Sequence, residues 1–243
     1  MENLYIEKIH NSIAKELIVK HHYTHKWTIA ELCIGIYDKS KGSVFFDVPR
    51  LVGTVVFGPT AGANVARSVS PLLNHSNLWE LKRLWVEDEL GKNTESWVIG
   101  QCLKYIKLNH PEIKCLISYA DPDAGHIGTI YQATNWIYQG LSTDIALMPN
   151  WGISLHKDPY QWIHSRTVFS LWGSGNLAHL QMEIGKQGYK EFWRREEPPK
   201  HRYVQLLAQD KKEKKDLMKR LKHEIRPCLL YTSPSPRDAT LSR

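Results

Sequence analysis

The sequence has no run of about 18 apolar residues, the least a bilayer-crossing helix needs, and Met1 to His10 lack the basic-then-apolar layout of a secretory signal. Both absences point to a cytoplasmic protein. Cysteine is scarce: Cys33, Cys102, Cys115 and Cys228 show no Cys-x-x-Cys spacing, which speaks against a thiolate metal site or a disulfide framework and for buried reduced thiols. No internal repeat is visible. No clean spacing of two His and one carboxylate places an iron ion either.

What is present is ordinary in amount and unusual in kind. With 243 residues, 42% of them hydrophobic, the chain can bury a core as one domain, or as one domain with insertions. Nine Trp is a high number, and several stand beside basic residues in "HKW", "KRLW" and "FWRR". Such rings suit stacking on nucleic-acid bases; they equally suit finishing a core. The formal charge of +7 favours an anionic partner. After Pro227 the composition shifts to "CLLYTSPSPRDATLSR", which matches a sequencing-library adapter translated in one frame. Residues 228–243 are therefore set aside as a non-native tail, leaving 1–227 as a single expected domain with the charge reduced by one.

The pattern predicts a strand over "NLYIEKIH", then a helix capped by Asn11 or Ser12 with Ile13, Leu17, Ile18 and His21 on one face. Hairpin strands follow at Thr28–Asp38 and Arg50–Phe57, and then an unpatterned linker over 61–77. "LWELKRLWVED" reads as a strand, "GKNTESWVIGQCLKYIKLNH" as a helix capped by Asn93 or Thr94, "IKCLISYA" as a central strand and "GHIGTIYQATNWIYQG" as a helix closing near Gly140. Beyond it come "STDIALMP", a loop-rich stretch, a helix over 174–188, a strand "RYVQLLA" and a charged helix over 209–224. Hairpin strands leading into a βαβα core predict an α/β fold of the GNAT acyltransferase type, with two splayed central strands and the cofactor between them.

One block asks for more than packing. "SYADPDAGHIGTIYQATNW", from Ser118 to Trp136, sets polar groups at the carboxyl end of a central strand, where open α/β sheets bind ligands. Ser118, Tyr119, Asp121 and Asp123 would face that crevice, ahead of helix amides that favour negative charge. Asp123 has a second reading as a helix cap, because Asp with Pro is also common turn chemistry.

This block, with "ELKRLWVED", "KNTES" and "KHRYVQLL", resembles the Mom family of phage DNA-modification proteins, over about residues 21–226. The resemblance implies a GNAT-like fold and an enzyme that adds a small acyl-like group, methylcarbamoyl or acetamido, to N6 of adenine in double-stranded DNA, protecting phage DNA from host restriction. It carries over His22 and Tyr23, Arg83, Ser118, Asp121 and Tyr131. Iron is also associated with the family. His21 and His25 have the i, i+4 spacing of a metal pair but no third ligand.

The chemistry gives these residues candidate roles. Adenine N6 is a weak nucleophile, so the donor must be activated and the amine aimed. Ser118 or Tyr131 would stabilise charge on the donor oxygen, while Asp121 or His22 would take the proton. Each also has a plain structural reading, His22 as a helix end and Tyr131 as a packed ring. The donor, acetyl coenzyme A or a related acyl donor, would lie on Arg83, Leu84, Trp85 and Val86 and meet Gly91, Lys92, Asn93 and Thr94. The usual glycine-rich diphosphate loop is replaced by "ELGKNTES", with one glycine and one base. A flipped adenine would stack on Trp136 or Tyr131, and Lys211, Lys212, Lys214 and Lys215 would contact DNA phosphates or form a solvated helix face. Two other functions fit the same residues: an N-acyltransferase acting on a small amine or another modified base, and a catalytically silent DNA-binding protein.

Overall fold

The computed structural model describes residues 1–43, 48–62, 64–142, 151–156 and 162–227. The tail and all of "STDIALMP" beyond Ser142 lie outside them. Contacts divide the chain into two compact units, one of residues 1–140 with 201–243 and one of Leu141–Lys200. The second unit falls inside the region read above as one domain.

The first unit is built on a mixed sheet. Strand β1 (Leu4–Lys8) leads to helix α1 (Asn11–His21), whose cap is His10 rather than Asn11 or Ser12: the His10 Nδ1 accepts the Ser12 N–H at 3.3 Å. Ala14 and Ile18 make the buried face of α1 and Ile13 is exposed, so the apolar stripe is rotated from the one expected. Strands β2 (Leu32–Ser43) and β3 (Val48–Pro59) form the hairpin, and a short helix α2 (Val65–Val69) sits in the segment that showed no pattern. Strand β4 (Leu78–Val86), helix α3 (Thr94–Asn109) and strand β5 (Cys115–Ala120) follow as expected.

From there the structure departs from the expected long helix. A 3-10 turn at Pro122–Ala124 is followed by a single-turn helix α4 (Thr129–Ala133) and a strand, β6 (Ile137–Leu141). Gly125 and Gly128 take positive φ, as does Asn135, which no α-helix accommodates, and the Trp136 N–H folds back onto the Tyr131 carbonyl. The periodic apolar residues therefore serve a helix and a strand in turn.

The second unit holds β7 (Trp151–Ser154), β8 (Ile163–His164), α5 (Ser165–Trp172), α6 (Leu177–Lys186) and β9 (Trp193–Glu196). Its three strands form an antiparallel sheet in the order β8-β7-β9, and Trp151, Ile153, Val168, Trp172, Leu180 and Ile184 make its core. Within it the basic residues of "FWRR" cover rings of their own chain: Arg194 lies 4.2 Å from the Trp151 ring and Arg195 4.6 Å from that of Trp162. The chain then returns to the first unit as β10 (His201–Leu206) and α7 (Lys211–Lys219).

The large sheet has seven strands in the order β1-β2-β3-β4-β5-β10-β6. Its central joint decides where a site can form. Parallel pairing of β4 with β5 covers only Leu78 to Glu80 against Cys115 to Ile117, after which the strands part. On its other edge β4 stays paired with β3 as far as Val86, and the register skips Lys82, a bulge that bends β4. This is the splayed, GNAT-like α/β architecture expected from the sequence.

Beside the gap, β10 fixes the loop before α4. The fully buried Tyr203 donates its hydroxyl to the Ile127 carbonyl at 2.5 Å, and Gln132 Nε2 donates to the Tyr203 oxygen at 3.0 Å. A Cβ at Gly128, where φ is +81°, would stand 2.2 Å from the Tyr203 ring. Gly128→Ala is therefore expected to destabilise the protein by about 2–4 kcal/mol, combining left-handed backbone strain with overpacking. A chemical-denaturation midpoint equal to that of the unsubstituted protein would contradict this packing.

Candidate active site

The parting of β4 and β5 opens a pocket of about 460 Å³ whose wall includes His22, Tyr23, Arg83, Ser118, Asp121 and Tyr131. All six residues carried over by the sequence resemblance thus share one wall, although they come from the end of α1, from β4, from the end of β5 and from α4. Leu84, Trp85 and Val86 line the pocket too. Gly91, Lys92, Asn93 and Thr94 do not: Asp88 and Glu95 stand in the wall at that end. Thr94 is buried and its hydroxyl is used locally, with the Gly91 and Leu90 carbonyls at 2.9 and 3.1 Å. Asn93 sits in a left-handed conformation and makes no side-chain cap.

Ser118 bridges the gap between the strands. Its Oγ lies 2.8 Å from the Leu81 carbonyl and 2.7 Å from the Tyr131 hydroxyl. Since a carbonyl only accepts, the single serine proton goes to Leu81 and Tyr131 donates to Ser118. The order is therefore Tyr131 O–H to Ser118 O–H to Leu81 C=O, running from α4 across β5 to β4. Burial pushes the Tyr131 phenol up to about 12, so it remains a proton-bearing donor at every physiological pH.

The His22 ring is held in one tautomer. The Thr24 backbone N–H donates to His22 Nδ1 at 3.2 Å, which fixes Nδ1 as an acceptor and leaves the proton of the neutral ring on Nε2. Burial, with Arg83, His126 and His25 nearby, pushes its pKa down to about 4. A ring this reluctant to gain a proton is a poor base and a usable neutral hydrogen-bond donor. Arg83 supplies the charge beside it; its guanidinium is held by the Lys82 carbonyl at 2.7 Å and the Lys26 carbonyl at 3.4 Å.

Other expected residues land elsewhere. Trp136 is 5% exposed in the core against Tyr131 and is absent from the pocket wall, so it offers no face to an incoming base. Lys211, Lys212, Lys214 and Lys215 are exposed on α7. Cys33, Cys102 and Cys115 are buried free thiols, while Cys228 lies outside the described residues.

The His21 and His25 pair does not fit iron. Helix α1 ends at His21, which stacks on Trp85 at 4.4 Å, and His25 turns its Nδ1 onto the Val19 carbonyl at 3.0 Å. Among the described residues no group of three or more His, Cys, Asp or Glu is placed to hold a metal ion, and no helix is long and apolar enough to cross a membrane. Among the pocket residues that went unremarked in the sequence is His126, whose ring meets Tyr23 edge to face at 5.2 Å. Its signal was the pair of glycines that flank it.

Known proteins resemble this chain in sequence and, loosely, in shape. The sequence model of the Mom protein family matches residues 3–228. A curated relative, the "Methylcarbamoylase mom" of Escherichia phage Mu, is 29% identical over 140 residues, covering 57% of this chain and 54% of that protein. The match thus spans about half the length of that relative. Among solved structures, NAA60 of Arabidopsis thaliana in complex with a bisubstrate analogue is 10% identical with a TM-score of 0.45, covering 84% of this chain and 98% of its own. An N-acetyltransferase from Staphylococcus aureus Mu50 is 12% identical with a TM-score of 0.41, covering 84% of this chain and 97% of its own.

His22 sets a pH dependence whose sign is fixed. Its pKa falls from 6.5 to about 4 on folding, so between those values the unfolded chain binds a proton that the folded protein refuses. Its contribution to stability is whole above pH 6.5 and is withdrawn as pH falls toward 4. Melting temperatures measured from pH 7 to pH 4.5 should drop more steeply for the unsubstituted protein than for His22→Gln. Parallel curves would mean that His22 titrates normally in the fold.

Proposed function

The chain belongs to the Mom protein family, and from that premise we propose that it transfers a small acyl-like group, methylcarbamoyl or acetamido, to N6 of adenine in DNA, so that host restriction enzymes no longer recognise the site. The observation that carries this reading is the single pocket, opened by the parting of β4 and β5, in which His22, Tyr23, Arg83, Ser118, Asp121 and Tyr131 meet.

The donor in this reading is an acyl thioester whose acyl part is the group transferred: acetyl coenzyme A turns the amine at C6 into an acetamido group, and a methylcarbamoyl product requires the related thioester that already carries the methylcarbamoyl group. Among the described residues no strand pairs with β4 on its β5 side beyond Glu80, which suits an extended, amide-bearing donor arm that completes the edge in the manner of an added strand. Asp88 and Glu95 at the far end favour a donor whose phosphates stay in solvent.

The amine of adenine attacks the donor carbonyl, its N–C bond forming as the C–S bond breaks. Negative charge grows on the carbonyl oxygen; the neutral His22 Nε2–H meets it, with Arg83 adding a positive field, and the Tyr131 hydroxyl joins them by turning its one proton from Ser118 to that oxygen while Ser118 turns its own to Tyr131. Ser118 acts through Tyr131 by holding the phenol in place. Asp121 takes the proton that N6 loses, and that proton ends on the departing thiolate, so charge balances without a second base.

Total DNA from cells expressing the protein, digested to nucleosides and weighed by mass spectrometry, tests the reading. A heavier deoxyadenosine that appears with the protein is expected, and Tyr131→Phe and Asp121→Asn should each reduce it by about 10-fold or more with the melting temperature preserved. Unmodified adenine beside an altered pyrimidine, or no altered nucleoside at all, would overturn it in favour of a different acceptor or of a silent binding protein.

A further inference from the structure

At the mouth of the pocket, the segment from Gly125 to Gly128 combines a fixed backbone with outward side chains. The His126 N–H donates to the Asp121 carbonyl at 3.0 Å and the Gly125 N–H to the Pro122 carbonyl at 2.9 Å. The Ile127 carbonyl accepts from Tyr203 at 2.5 Å and from Gln132 Nε2 at 3.2 Å, and the Tyr203 ring leaves no room for a side chain at Gly128. Four hydrogen bonds and a buried ring thus hold a loop of four residues. On this rigid mount Ile127 stands 42% exposed, and Tyr23, which is 52% exposed, meets His126 beside it.

A lone exposed isoleucine is unremarkable. One that lines a reaction pocket on a backbone that cannot yield is a different object, because it can bear force. Adenine N6 belongs to a base stacked inside the duplex, so a pocket this recessed receives the base only after it has left the stack, at a cost of a few kcal/mol. An apolar side chain pushed between base steps offsets part of that cost by filling the vacated place.

Resting on the adenine-modification reading, we infer that Ile127 is the wedge that enters the base stack as the target adenine turns out, with the Tyr23 and His126 rings as the surface the base crosses toward Tyr131. Ile127 is a positioning residue: it touches neither donor nor reacting atoms. The two demands on the loop, stiffness and an apolar tip, have separate sources, Tyr203 with Gln132 for the first and Ile127 for the second. Trp136, being buried, cannot serve as this surface.

The test compares the full chain with Ile127→Ala and Ile127→Leu, each supplied with acetyl coenzyme A and with one DNA sequence presented either as duplex or as single strand. Ile127→Ala should lower modification of duplex by about 10-fold or more while single-strand modification stays within about two-fold, and Ile127→Leu should recover most of the duplex rate. In a duplex with 2-aminopurine at the target position, fluorescence should rise with the unsubstituted protein and with Ile127→Leu and stay flat with Ile127→Ala. Equal loss on both substrates, or no loss on either, would overturn the wedge while leaving the adenine reading standing. If the unsubstituted protein modifies neither DNA, the adenine reading itself fails and the wedge with it.

Discussion

The early separation of β4 from β5 is the constraint on which the rest of this structure depends. Three paired positions join the strands; past them, the bulge at Lys82 bends β4 and the backbone ladder stops. Unpaired strand edges in a sheet interior leave polar groups that need partners, and one of them, the Leu81 carbonyl, takes the Ser118 hydroxyl. That bond sets the width of the gap at its base, and through Ser118 it also fixes the Tyr131 phenol. Every other feature of the pocket is arranged around this short hydrogen-bonded bridge.

The charge state of the wall follows from the same burial. Tyr131 keeps its proton because desolvation raises its pKa, and His22 keeps its ring neutral because desolvation and Arg83 lower its own. Two groups that often serve as bases are thereby both turned into donors, next to a guanidinium. Such a wall suits the stabilisation of negative charge growing on an oxygen far better than it suits the removal of a tightly held proton. The weakly nucleophilic amine and reactive donor of the proposed reaction make that demand.

Much of this was legible in the sequence, and the parts that were not have identifiable causes. Apart from the short α2, the strand and helix order through β5 could be read because each element carries a clean period and a local stop, such as His110-Pro111 after α3. The region from Gly125 to Gly140 misled because its apolar spacing fits a helix, while its four positive-φ residues, Gly125, Gly128, Asn135 and Gly140, are visible only once the backbone is known. The sheet of β7, β8 and β9 escaped because its strands are two to four residues long and find their partners across loops. Among site residues, Trp136 was misplaced in the pocket for the same reason as the helix that was expected to carry it. His22 was placed correctly, but its tautomer depends on a backbone amide two residues later, which no motif reports. The donor loop was read by analogy, and the carboxylates of Asp88 and Glu95 hold the place given to Gly91 and Lys92.

The central claim is that the gap between β4 and β5 is where the acyl donor lies. Amide hydrogen exchange followed with and without acetyl coenzyme A addresses it most directly, since an added ligand arm would cover the unpaired edge of β4. The account expects slower exchange at Arg83 to Val86 and at Ser118 to Asp121, with α7 unaffected. Unchanged exchange along β4, or protection confined to α7 and its neighbours, would contradict it.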